Sequence, residues 1–60
     1  MKFNIGDKVI VKNFFDPKNG NIGIVTNIKR NESNKVAYVV RFEAFGEWYY
    51  TGDELRVVYE

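Results

Sequence analysis

Few residues in this chain have the type and spacing for catalysis. Ser33 is the only serine, set in the polar run Asn31-Glu32-Ser33-Asn34 of a sequence without histidine or cysteine. With no imidazole to activate it, the hydroxyl cannot join a nucleophilic triad. Thiolate chemistry, disulfide staples and the common zinc sites are excluded by the same absences. Carboxylates are paired in Asp53-Glu54 and in Glu43 with Glu47. Acid/base work needs such a pair in a pocket whose opposed environments drive the two pKa values apart. A filled small domain leaves little room for one, so these acids read as a helix cap and solvated turn charges. The stretch Asp16-Pro17-Lys18-Asn19-Gly20 has the outline of a calcium loop, but Lys18 stands where an oxygen ligand is needed and Asn27 replaces the closing glutamate. No phosphate-binding loop or dinucleotide fingerprint is present. The reading is a non-enzymatic chain with no catalytic residue, metal, cofactor or small-molecule substrate.

What remains is recognition. Nine Lys/Arg against eight Asp/Glu leave a formal charge of +1, short of the strongly basic balance of a nucleic-acid domain. Lys12, Lys29, Arg30, Lys35 and Arg41 are expected on the side of the first loop and the polar hairpin, with Glu43, Glu47, Asp53 and Glu54 near the opposite end. Such a dipolar surface either tracks a phosphate backbone, with Trp48 or Tyr50 stacking on bases, or merely solubilises a hairpin tip. Ten aromatic residues are the stronger signal. Phe14, Phe15, Phe45, Trp48, Tyr49, Tyr50 and Tyr59 exceed what so small an interior holds. Either Trp48 and one tyrosine close the ends of the domain, or Trp48, Tyr50 and Arg41 join Phe14 and Phe15 in a partner-binding surface.

These side chains must be positioned by strands. Eight Val, five Ile and ten aromatics against one Leu and two Ala favour pleated structure. Lys8 to Lys12 alternates, with Val9 and Val11 on one face and Lys8, Ile10 and Lys12 on the other. Asn13 to Gly20 contains Asp-Pro and Asn-Gly and reads as a long ordered loop. The second strand begins at Gly23, and the three-residue step from Val25 to Ile28 marks a bulge or bend. Lys29 to Lys35 forms a solvated hairpin tip. The third strand, Val36 to Phe42, turns Tyr38, Val40 and Phe42 inward and Ala37, Val39 and Arg41 outward. Gly46 supplies a positive φ for the turn into a fourth strand, Glu47 to Thr51, where Trp48 and Tyr50 share a face opposite Tyr49. Thr51-Gly52-Asp53-Glu54 has the spacing of a capping box, opening a single 3₁₀ turn before a last strand, Arg56 to Tyr59.

Five short strands, a long first loop and a one-turn helix before the last strand describe an all-β, single five-stranded SH3-like barrel spanning residues 1–60. The segments Phe3-x-Ile5-Gly6-Asp7-x-Val9, Gly20-x-x-Gly23-x-Val25-x-x-Ile28, Tyr38-x-Val40-x-Phe42 and Glu54-Leu55-x-x-Val58 resemble the SH3-like barrels of prokaryotic proteins. That group includes KOW modules, the polymerase-binding domain of CarD-like regulators and the E-type subunits of photosystem I. Gly20 to Val25 resembles the glycine-and-valine centre of a KOW motif, a family whose loops touch RNA or protein. Val39-Val40-Arg41-Phe42-Glu43 is similar to a strand of the E-type photosystem I proteins, which dock and stabilise without a cofactor of their own.

The N-terminal residues lack a signal-peptide core and no apolar run is long enough to span a bilayer, so a cytoplasmic protein without a membrane partner is expected. Two functions follow. The first is a protein-interaction or accessory module, bacterial or phage-encoded, whose outward Ile10, Ile24 and Val39 seat a partner strand or a second copy. The alternative is a weak nucleic-acid-binding accessory domain of KOW or Tudor type, using Lys12, Lys29, Arg30, Lys35 and Arg41.

Overall fold

The structure, a computed structural model, describes residues 2–59. Five antiparallel strands, β1 (Lys8–Val11), β2 (Ile22–Arg30), β3 (Val36–Phe42), β4 (Gly46–Tyr50) and β5 (Leu55–Val57), form one sheet in the order β4-β3-β2-β1-β5. A 3₁₀ turn, Gly52–Glu54, precedes β5. The long second strand makes the barrel. Its first residues, Ile22 to Ile24, pair with β1, while Ile24 to Arg30 pair with β3. The register slips between Val25 and Asn27, at the three-residue step in the apolar pattern. This bulge adds the local twist that carries β2 from one half of the sheet to the other and curls five strands into an SH3-like barrel.

Alternation decides the inside. Val9, Val11, Val25, Val40 and Leu55 are fully buried at the centre. Aromatic edges close around them: Phe3 meets Tyr38 edge-to-face at 5.1 Å between ring centroids, and Phe42 meets Tyr50 at 6.0 Å. Gly23 lies inside the same bend, and a Cβ there would stand 2.6 Å from Val40 Cγ1 and 2.7 Å from the Arg41 carbonyl oxygen. Only a residue without a side chain lets β2 approach β3 this closely. Gly46 opens β4 with φ of 76°, the left-handed conformation expected of the β3–β4 turn.

Several sequence expectations shift by a residue or two. β1 ends at Val11, because the amide of Lys12 bonds the carbonyl of Glu54 at 2.6 Å and leaves the ladder with β2. β5 runs from Leu55, which pairs with Val11, and stops at Val57; Val58 still donates to the Lys8 carbonyl, while Tyr59 projects into solvent. β2 continues through Lys29 and Arg30, where the polar pattern places the hairpin tip. Residues 31–35 form that tip, where Asn31 Oδ1 accepts from the amides of Ser33 and Lys35. Val39, expected outward for a partner, stays outside the core cluster but is buried: it lies on the central strand β3, in register between Asn27 of β2 and Tyr49 of β4.

Candidate interaction surface

The segment between β1 and β2 is held in place residue by residue. Its base is closed by backbone bonds from Gly20 to the Val11 carbonyl and from Val11 to the Asn21 carbonyl. Asn13 is the organiser. Its Oδ1 accepts from the Phe15 amide at 3.0 Å, its own amide donates to Asn19 Oδ1 at 2.9 Å, and its Nδ2 donates to Glu54 Oε2 at 2.6 Å. The other oxygen of Glu54 accepts from the amide and hydroxyl of Thr51, completing the capping box of the 3₁₀ turn. One carboxylate therefore ties the loop to the helical turn, and Asn and Asp side chains replace the missing ladder bonds. At the apex, Phe14 and Phe15 are 87% and 91% exposed, their rings edge-to-face at 5.6 Å. Two phenylalanines are thus presented to solvent on a loop with little freedom to hide them.

The loop is latched to β4 by charge. Lys18 Nζ lies 3.0 Å from Asp16 Oδ1, with the two side chains only 11% and 13% exposed, and 4.0 Å from the centroid of the Trp48 ring. Trp48 in turn donates from Nε1 to the Phe45 carbonyl at 2.6 Å. The ammonium sits between a carboxylate and an aromatic face, each of which attracts it. The carboxyl of Asp16 is held below the usual range, first by the Lys18 amide at 2.8 Å and then by the Lys18 side chain, which outweigh its burial. Tyr50 lies behind. Burial pushes its phenol well above the ordinary value, and the nearby Asp16 and Glu54 charges add to the shift. Asp16 is close enough to act on Tyr50 Oη, yet this buried hydroxyl has no hydrogen bond of acceptable geometry.

The candidate contact residues thus separate. Phe14, Phe15 and Arg41 are exposed and Trp48 is half-exposed, lidding Lys18. Tyr50, expected at the contact surface, is 3% exposed and belongs to the core, because the end of β4 is covered by the first loop while Trp48, two residues earlier on the same face, lies at its margin. The pairing of Lys18 with Asp16 is not legible in the sequence; the Asp-Pro-Lys turn signals order but not what Lys18 covers.

The basic residues divide too. Lys29, Arg30 and Lys35 line an open groove of about 250 Å³ with Val36, Ala37 and Tyr49. Lys12 and Arg41 do not line it. Arg41 is four residues beyond Ala37 on β3, roughly 13 Å away at the usual rise of a strand. The expected separation of charge into two ends is not found: Arg41 stands opposite Glu47 in the β3–β4 register, and Lys2 Nζ lies 3.8 Å from Asp53. Antiparallel pairing interleaves residues that are far apart in sequence, and here it places acids among the bases. Ile10 and Ile24 do face outward on neighbouring strands, beside Arg56 and Lys8 respectively.

Among the described residues, no cluster of acids could hold a metal ion and no helix is long and apolar enough to cross a membrane. No protein-family model and no curated protein matches the chain. Among solved structures it is similar to the solution structure of the cyanobacterial cytochrome b6f complex subunit PetP, at a TM-score of 0.76 and 27% identity, over 93% of this chain and 80% of that one.

Proposed function

We propose that this chain is a non-enzymatic accessory subunit that docks on a larger protein assembly through its first loop, with Phe14 and Phe15 as anchors and Trp48 at the margin. The observation that carries this reading is the exposure of two adjacent phenylalanines on a loop fixed by Asn13, Glu54 and the Lys18 latch. Each ring gains roughly 1.5–3 kcal/mol when taken out of water, and a preformed loop loses little entropy on docking. The likeness to PetP, a subunit of a multiprotein complex, supports the accessory role and makes a cytochrome b6f complex the first assembly to test.

The test is co-purification of the tagged chain with that complex, and with assemblies captured from the native host, beside a Phe14→Ser/Phe15→Ser variant. Both rings are exposed, so the double variant should keep its unfolding midpoint, with each change within about 0.5 kcal/mol. Its association should fall by at least about a hundredfold, the equivalent of losing roughly 3 kcal/mol of ring burial. Undiminished association of the folded variant would overturn the proposal.

A further inference from the structure

The groove beside the hairpin tip is built from different residues. Lys29 and Arg30 end β2 and Lys35 leads into β3; in register they stand beside Ala37 and Val36, which with Tyr49 form an apolar floor. Tyr49 is 63% exposed, its ring available to a ligand. None of the three cations has an ion pair or side-chain hydrogen bond among the described residues, and no carboxylate lines the groove. Asp16 and Asp53 are engaged with Lys18 and Lys2, and Glu54 with Asn13 and Thr51. Glu32 belongs to the same tip but does not line the groove, so three cations without an ion pair stand around an apolar, aromatic floor.

We infer that this groove binds an acidic protein segment, a short stretch bearing carboxylates on either side of an apolar or aromatic residue that rests on Tyr49. Charge complementarity selects the carboxylates, since long cationic side chains can reach inward over an apolar floor without being buried themselves. Size and charge layout select a peptide over a nucleic acid. A space of about 250 Å³ takes one or two side chains. A phosphate track needs a continuing basic strip, and along β3 the next cation, Arg41, faces Glu47. Because the groove shares no residue with the Phe14/Phe15 loop, it stands or fails separately from the docking role.

The experiment is an amide NMR titration of the full chain with the acetylated peptide Gly-Asp-Glu-Phe-Glu-Asp-Gly, its Asn/Gln counterpart, and oligo-dT of equal charge. The acidic peptide should give saturable shifts confined to residues 29–37 and Tyr49, weakening as salt rises. A Lys29→Glu/Lys35→Glu variant should lose about tenfold in affinity while keeping its native spectrum. Tyr49→Ser should weaken binding, and Phe14→Ser/Phe15→Ser should leave it unchanged. The inference is overturned by silence at millimolar peptide, by equal shifts with the Asn/Gln peptide, by tighter binding of oligo-dT, or by shifts that persist in the charge-reversed variant.

Discussion

Replacing Lys18 by Met removes the latch while keeping most of the side-chain volume. The change takes away the ammonium 3.0 Å from Asp16 and 4.0 Å from the Trp48 centroid and leaves a mostly covered carboxylate without its counter-ion, next to the phenol of Tyr50. Breaking a buried pair by removing one partner costs about 3–5 kcal/mol. Here both side chains keep about a tenth of their exposure and Asp16 retains the Lys18 amide as donor, so the ionic part should fall near ~2 kcal/mol. The lost cation–π contact adds about 1 kcal/mol. A 60-residue domain has a total stability of only ~3–9 kcal/mol, so a loss of about 3 kcal/mol removes a third of it or more. Urea unfolding followed by Trp48 fluorescence should show a midpoint lower by about 2–3 M, given a slope of ~1 kcal/mol per molar for a chain this small. A double-mutant cycle with Asp16→Asn should return a coupling of about 1–2 kcal/mol. A midpoint shift under about 0.5 M, or a coupling indistinguishable from zero, would refute the latch and make the pair an ordinary surface contact.

The pH dependence has two limbs. Asp16 has a lowered pKa in the fold, so its contribution is complete above the ordinary value of about 3.9 and is lost as pH falls through the depressed one. Tyr50 has a raised pKa, so its contribution is complete below about 10 and is lost as pH rises toward the folded value. Thermal scans should therefore show a plateau from about pH 4 to pH 10, falling at both ends. Tyr50→Phe should stay within about 1 kcal/mol of wild type at neutral pH, because it deletes a buried hydroxyl with no hydrogen bond, and should weaken the alkaline limb. A loss well above that would mean that Tyr50 does donate to Asp16. Gly23→Ala should destabilise by about 1–3 kcal/mol or more, since the Arg41 carbonyl oxygen at 2.7 Å belongs to the backbone and cannot swing aside; an unchanged melting temperature would show that the bend of β2 is looser than this contact requires.

The barrel was legible because its signals are local. Strand alternation has a period of two and turn dipeptides act over two residues, so β1, the bulge after Val25, the whole of β3 and the Thr51–Glu54 capping box could be read from neighbouring residues alone. That Lys29 and Arg30 lie near Lys35 was legible for the same reason, since one short hairpin joins them, but the groove they line with Tyr49 was not.

Alternation assigns a side chain to a face but not to a depth. Trp48 and Tyr50 share a face of β4, yet one is 48% exposed and the other is in the core, according to how far the first loop reaches over the strand. Val39 stands outside the core cluster as its spacing requires, yet on the central strand β3, flanked by β2 and β4, it is buried. Lys18 lies under Trp48, thirty residues along the chain, and Asn13 reaches the carboxylate of Glu54. The sequence by itself determined the strands, their order of appearance, the turns and the absence of histidine and cysteine chemistry. Tertiary structure decided which rings meet solvent and which charges find partners, because both depend on contacts between segments that only the folded sheet brings together.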